Sequence, residues 1–218
     1  MYVIIVGAGR VGRHLANLLI EKRNEVALIE RDKEKSDEVS RDIDALVING
    51  DGTQIKTLEE ANAKSADALV AATGRDEINL LSGLIAKNIG VKTVISRVSN
   101  PEYKEVFKKL GMDFVVSPEA TAAEHIEKLI RRPSISDLAI LEKSGLEILE
   151  FKIAKDSKAA GKTVGEIRPD GFLIIAVYKN GVLSIPSAKT ALSTGDEVLV
   201  LAESKKIDDA EKLFTRKA

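Results

Sequence analysis

The sequence predicts an α/β protein: a Rossmann-like, doubly wound parallel sheet of about six strands, followed by a smaller α+β domain. Three observations carry this. Short apolar runs alternate with helical patterns from residue 2 to residue 131. A G-x-G-x-x-G triplet, Gly7, Gly9 and Gly12, stands where the first apolar run meets the first helical pattern. After Ser134 the helical patterns give way to strand-like runs separated by turns.

The strands of the first part are read at 2–6, 25–30, 45–48, 67–72, 92–96 and 114–116. Most are apolar throughout, as strands covered on both faces must be. Helical patterns fall between them at 10–22, 33–42, 54–62, 77–88 and 102–110. Asp32 and Thr53 are placed to cap the second and third helices, and Gly90 and Gly111 to end the fourth and fifth. A last helix over 119–131 starts after Pro118 and is stopped by Pro133. It gathers Ala122, Ile126, Leu129 and Ile130 on one face, which either packs on its own sheet or meets a partner subunit. The first domain therefore spans 1–133 and the second 134–218.

In the second domain, strands are read at 138–142, 146–153, 172–178, 182–185 and 197–202, with helical segments near 163–167 and 204–214. Turns are expected at Ser144-Gly145 and at 194–197. The Asn180-Gly181 step between two apolar runs marks a two-residue hairpin.

Composition narrows the chemistry. The chain has 218 residues, 33 basic against 34 acidic, so it lacks the basic excess typical of a nucleic-acid binder. No cysteine is present, which excludes disulfides, thiolate metal sites and a cysteine nucleophile. His14 and His125 are the only histidines, too few for a histidine metal cluster and poorly placed for a triad. No run approaches the ~20 apolar residues of a membrane-spanning helix, and the first residues lack a signal-peptide pattern, so a cytoplasmic location is expected.

The glycine triplet has a physical reading. In such a loop the first glycine permits the tight turn, the second lets backbone approach a pyrophosphate, and the third lets helix and strand pack closely. The helix start then presents unpaired N–H groups to phosphate. Glu30 closes the second apolar run 18 residues beyond Gly12, where an acid accepts hydrogen bonds from a ribose and repels a 2'-phosphate. Arg31 beside it counters part of that repulsion. Arg10, inside the loop, offers a bidentate partner to phosphate.

Further segments fall at strand C-terminal ends: "NGDGT" at 49–53, "AATGRDEINLLSGLIAK" at 71–87 and "ISRVSNPEY" at 95–103. With the glycine loop, Glu30 and "GMDFVVSPE" at 111–119, these resemble the regulator-of-potassium-conductance (RCK) domains, the cytosolic TrkA/KtrA-type subunits of potassium uptake systems. The resemblance continues through "DSKAAGKTVGEI" at 156–167 and the stretch 174–202, which are similar to the TrkA C-terminal domain, so that nearly the whole chain is covered.

The resemblance implies roles residue by residue. Gly7, Ala8, Gly9, Arg10, Val11 and Gly12 match the phosphate loop, and Glu30 the ribose acid. Asp51 matches an acid near the adenine, with Gly52 and Thr53 beside it. The family often has alanine where Gly52 stands, which would make this turn looser here. Ala72, Thr73 and Gly74 match the segment running along the nucleotide, with Asp76, Glu77 and Asn79 opening the next helix. Arg97 and Glu119 match positions at the site, the latter an acid that could reach a cation or a neighbouring subunit.

The implied ligand is NAD or NADH, with ATP or ADP as the alternative that Arg10 and Arg97 would suit. The implied protein has no enzymatic activity and binds no nucleic acid. It forms a homodimer that assembles further, as a tetramer or an octameric ring. It lies in the cytoplasm against the inner face of the membrane, where it gates a separate potassium channel or transporter. Two other classes share the nucleotide fold. An NAD-dependent oxidoreductase needs a proton donor beside the nicotinamide, and neither histidine is well placed for that. An NAD-responsive DNA-binding repressor needs a helix-turn-helix, whereas the second domain reads as strands.

Overall fold

The computed structural model describes residues 1–131, 135–141, 145–167 and 170–215. The chain divides into two compact units, Met1–Glu124 and His125–Ala218.

In the first unit strands and helices alternate. They are β1 (Tyr2–Val6), α1 (Arg10–Glu21), β2 (Glu25–Glu30), α2 (Lys33–Asp42), β3 (Leu46–Asn49), α3 (Ile55–Glu60), β4 (Ala68–Ala71), α4 (Asp76–Ile89), β5 (Thr93–Arg97), α5 (Lys104–Lys109) and β6 (Phe114–Val116). The helix α6 (Pro118–Arg131) follows and runs across the division between the units. All six strands are parallel, in the order β3-β2-β1-β4-β5-β6. The order reverses between β1 and β4, and an open crevice forms at such a reversal beyond the strand C-termini.

Both faces of the sheet are apolar because consecutive strand residues point to opposite sides. Ile4, Val6, Ile29 and Leu69 pack with Leu58 of α3, Ala86 of α4 and Phe107 of α5. Val3, Ile5, Leu28 and Val70 pack on the other side with Ala16 of α1 and Val39 of α2. The apolar runs in the sequence thus correspond to strands buried from two directions.

Local signals behave mostly as the sequence predicts. The Asp32 carboxylate accepts from the Lys35 amide at 3.0 Å and caps α2. Gly90 takes a left-handed conformation at the end of α4. Thr53 is an exception: Gln54 holds the α3 N-cap. Thr53 instead donates its amide (2.9 Å) and hydroxyl (2.7 Å) to Asp51. A carboxylate two residues away competes successfully for both groups. The helix expected at 102–110 divides into a 3₁₀ turn, Pro101–Tyr103, capped by the Asn100 side chain, and α5.

On α6 the apolar face is exposed: Ile126 is 56%, Leu129 45% and Ile130 75% accessible, and Ala122 is exposed with them.

The second unit holds β7 (Ile135–Leu141), β8 (Leu146–Lys152), β9 (Phe172–Lys179), β10 (Val182–Ser184), β11 (Glu197–Glu203) and α7 (Ile207–Thr215). The strands pair antiparallel in the order β10-β9-β11-β8-β7. Leu149, Phe151, Val198 and Val200 form its core with Phe214 of α7, whose ring stacks on Phe151 at 5.5 Å. Asn180 (φ 49°) and Gly181 (φ 83°) turn the chain between β9 and β10, the left-handed pair that a two-residue hairpin requires. Pro133, the domain boundary after residue 133, the strand end at residue 142 and Ser144 of the expected turn lie outside the described residues.

Candidate functional site

Beyond the C-terminal ends of β1, β2 and β4 the first unit opens a cavity of about 410 Å³. This is the place where the reversal in strand order leaves a crevice, and the volume lies within the usual range for small-molecule sites, roughly 300–1,000 Å³.

Its floor is the glycine loop. Gly7 adopts φ 101°, a left-handed conformation that disfavours any side chain. A Cβ at Gly12 would stand 1.9 Å from the Gly7 carbonyl oxygen, so only glycine lets α1 close onto β1 here. Gly9 sits at the N-cap of α1 with no side-chain hydrogen bond, and a Cβ there would meet nothing within 4 Å. The helix start is thus uncapped and open, with its partial positive charge facing the cavity.

Glu30 stands at the end of β2. One carboxylate oxygen accepts from the Ala8 amide at 3.0 Å, and the other from the Asp32 amide at 2.9 Å. The side chain therefore ties the glycine loop to the β2–α2 turn and keeps lone pairs for a further donor. Asp51 is held in a similar way. The Thr53 amide and hydroxyl that bond it lower its carboxyl below the ordinary value of 3.8. Gly52 is not a looser turn: a Cβ there would fall 2.3 Å from Val6 Cγ1, so close packing against β1 demands glycine.

Of the residues expected at the site, Gly7, Gly9, Arg10, Glu30, Asp51, Gly52, Ala72, Thr73, Gly74 and Arg97 line this one cavity. Ala8, Val11, Gly12, Thr53, Asp76 and Glu119 do not. Ala8 is buried and Gly12 serves the loop packing. Val11 lies on α1, and Thr53 braces Asp51. The Asp76 carboxylate accepts from the Ser99 amide (2.7 Å) and the Asn100 amide (3.1 Å), clamping the loop after β5. Glu119 forms an ion pair with Arg97.

The cavity is also lined by Lys35, Arg75 and Ile78, to which the sequence assigned no individual role, and by Arg31 beside Glu30. Their signal was position: each follows a strand C-terminus on the edge where open α/β sheets bind ligands. Arg10, Arg31, Lys35, Arg75 and Arg97 bring five cations to a lining with only Glu30 and Asp51 as acids. Arg75 is partly neutralised by Glu77 at 2.6 Å. An uncapped helix start and a cationic surround suit an anionic ligand carrying phosphate, with Glu30 facing hydroxyl donors. Among the described residues no cluster of three or more His, Asp or Glu is arranged to hold a metal ion. Among them also, no helix is long and apolar enough to cross a membrane.

Comparison with known proteins identifies the family and the fold. The TrkA-N domain family matches residues 3–118 and the TrkA-C domain family residues 148–215. A relative from Methanothermobacter thermautotrophicus, described as a Trk system potassium uptake protein TrkA homolog, is 48% identical over 216 residues, 99% of this chain and 100% of that one. The solved structure described as the GsuK channel bound to NAD superposes with a TM-score of 0.70 at 22% identity, covering 100% of this chain and 40% of that chain. The GsuK structure bound to ADP matches 61% of this chain and 34% of its own, with a TM-score of 0.54 at 26% identity. The chain thus spans about two fifths or less of those channel chains, and likeness at that level establishes the shared fold.

Proposed function

Since the chain belongs to the TrkA family, we propose that it is a cytosolic regulatory subunit that binds a nucleotide in this cavity and gates a separate potassium-transporting membrane protein. The observation that carries the reading is the cavity itself, where the uncapped α1 start, Arg10 and Glu30 converge. NAD or NADH is the favoured ligand: its pyrophosphate meets the glycine loop, and its ribose hydroxyls donate to Glu30, which disfavours a 2'-phosphate. ADP and ATP are the alternative, supported by the cationic lining. Proteins of the same fold carry NAD in one structure and ADP in another.

The reading as a switch rather than an enzyme rests on the side chains at hand. His14 and His125 are exposed and outside the cavity lining. Glu30 and Asp51 are engaged by amide and hydroxyl donors. A nucleotide that binds two conformations unequally shifts their populations without chemistry, and a partner fixed to one conformation follows. The exposed apolar face of α6 supports a homodimer, which assembles further into a tetramer or octameric ring on the cytoplasmic side of its membrane partner. In this reading residues 1–133 form the nucleotide domain and 134–218 the TrkA-C domain.

Thermal melting with NAD+, NADH, NADP, ATP and ADP tests the ligand, because a molecule bound only by the native state raises the midpoint by mass action. A rise with NAD+ or NADH and none with NADP is expected. No rise with any of the five overturns the reading of the cavity. Hydride transfer to a small substrate, lost on Glu30→Ala, overturns the assignment as a switch.

A further inference from the structure

Asn79 lies in the first turns of α4, is 0% exposed and is absent from the cavity lining. Yet its amide group makes four hydrogen bonds, all to residues that line the cavity. Its Oδ1 accepts from the Thr73 amide at 2.9 Å and the Thr73 hydroxyl at 2.7 Å. Its Nδ2 donates to the Thr73 carbonyl and the Arg97 carbonyl, both at 3.0 Å. A carboxamide has two donor hydrogens and two acceptor lone pairs, so this side chain is fully used. A buried polar group satisfied in full holds its partners in a single geometry, and the cost of breaking such a network falls on every member.

The partners matter because of where they stand. Thr73 begins the loop between β4 and α4, and its N–H, carbonyl and hydroxyl are all held by this one amide. Arg97 ends β5, and its guanidinium donates to the same Thr73 carbonyl at 3.3 Å. That guanidinium also pairs with Glu119 in the first turn of α6. Two segments 24 residues apart, on adjacent strands, are thus joined through one buried side chain at the rim of the cavity.

We infer that Asn79 is a positioning residue of the nucleotide site: it holds the Thr73 loop and the end of β5 in ligand-binding geometry without touching the ligand. The inference rests on the nucleotide reading above. Aspartate at this position keeps the volume and the accepting oxygen but puts an acceptor against two carbonyls. Alanine removes both halves.

The experiment is calorimetric titration of wild type, Asn79→Asp and Asn79→Ala with NAD+ and with ADP, at a temperature where melting curves show each protein fully folded. Both variants should bind whichever nucleotide the wild type binds more weakly by about tenfold or more, the scale on which a supporting residue acts. A lower melting temperature with an unchanged dissociation constant makes Asn79 a fold residue only and overturns the inference, leaving the nucleotide reading standing. A wild type that binds neither nucleotide overturns both. Should neither variant fold, hydrogen exchange on the wild type decides. Bound nucleotide is expected to slow exchange of the Thr73 amide, and an unchanged rate overturns the inference.

Discussion

The Glu30 carboxylate, at the end of β2, accepts a hydrogen bond from the Ala8 amide at 3.0 Å and so closes the glycine loop onto the neighbouring strand. Ala8 is 1% exposed, and its part-buried N–H loses this partner when the carboxylate is removed. Glu30→Ala should therefore have two effects: an orphaned buried donor costing about 1–3 kcal/mol of stability, and loss of nucleotide binding. Chemical denaturation reads the first and calorimetry the second. Unchanged stability would show that the loop does not depend on the carboxylate.

Gly12 and Gly7 permit a second prediction. A Cβ on residue 12 would be driven to 1.9 Å from the Gly7 carbonyl, a backbone atom that a rotamer change cannot remove. Gly12→Ala should destabilise the first unit by about 1–3 kcal/mol, as overpacking typically does, and should displace the loop. Gly74→Ala is the control, since a Cβ at residue 74 meets nothing within 4 Å and no unusual φ is required. Urea midpoints that fell equally for both would argue against close packing as the cause.

On α6, Ile126 and Ile130 are exposed in the single chain. If this face is covered by a second copy, Ile126→Glu/Ile130→Glu should halve the mass measured by light scattering, or reduce it further if rings dissociate. Circular dichroism should stay unchanged, because substitutions at exposed positions usually shift stability by within ~0.5 kcal/mol. A wild-type mass retained by the variant would place the oligomer interface elsewhere.

Asp51 gives a pH dependence with a definite sign. The Thr53 amide and hydroxyl hold its folded-state carboxyl below the ordinary value of 3.8. A lowered folded value means that the unfolded chain takes up a proton first. The stabilisation is then complete above the unfolded value and is lost as pH falls through the folded one. Denaturation from pH 6 down to about pH 2 should show wild-type stability falling more steeply below about pH 4 than that of Asp51→Asn. Parallel curves would remove Asp51 from the acid response.

Much of the architecture is legible along the chain because it is local. The run at 2–6 is apolar throughout and the run at 25–30 is apolar between its two terminal glutamates, the pattern of a strand whose middle is buried from both sides. Asp32, Gly90 and Asn180-Gly181 each act on backbone within a few residues, so turn and cap chemistry suffices to place them. The glycine spacing and Glu30 likewise identify the sheet edge on which the cavity opens, and nearly the full chain carries the family resemblance.

Only the tertiary structure decided which side chains at that edge serve the cavity and which brace it. Asp76 and Asn79 both look like site residues in sequence, three positions apart at one helix start. Folding turns Asp76 toward the amides of Ser99 and Asn100 and buries Asn79 between Thr73 and Arg97. It also brings Arg31 and Lys35 to the rim and leaves Glu119 on Arg97 rather than in the lining. A side chain's periodicity states which face it occupies. Its hydrogen-bond partner depends on segments some twenty residues away, and these become neighbours only when adjacent parallel strands are laid side by side.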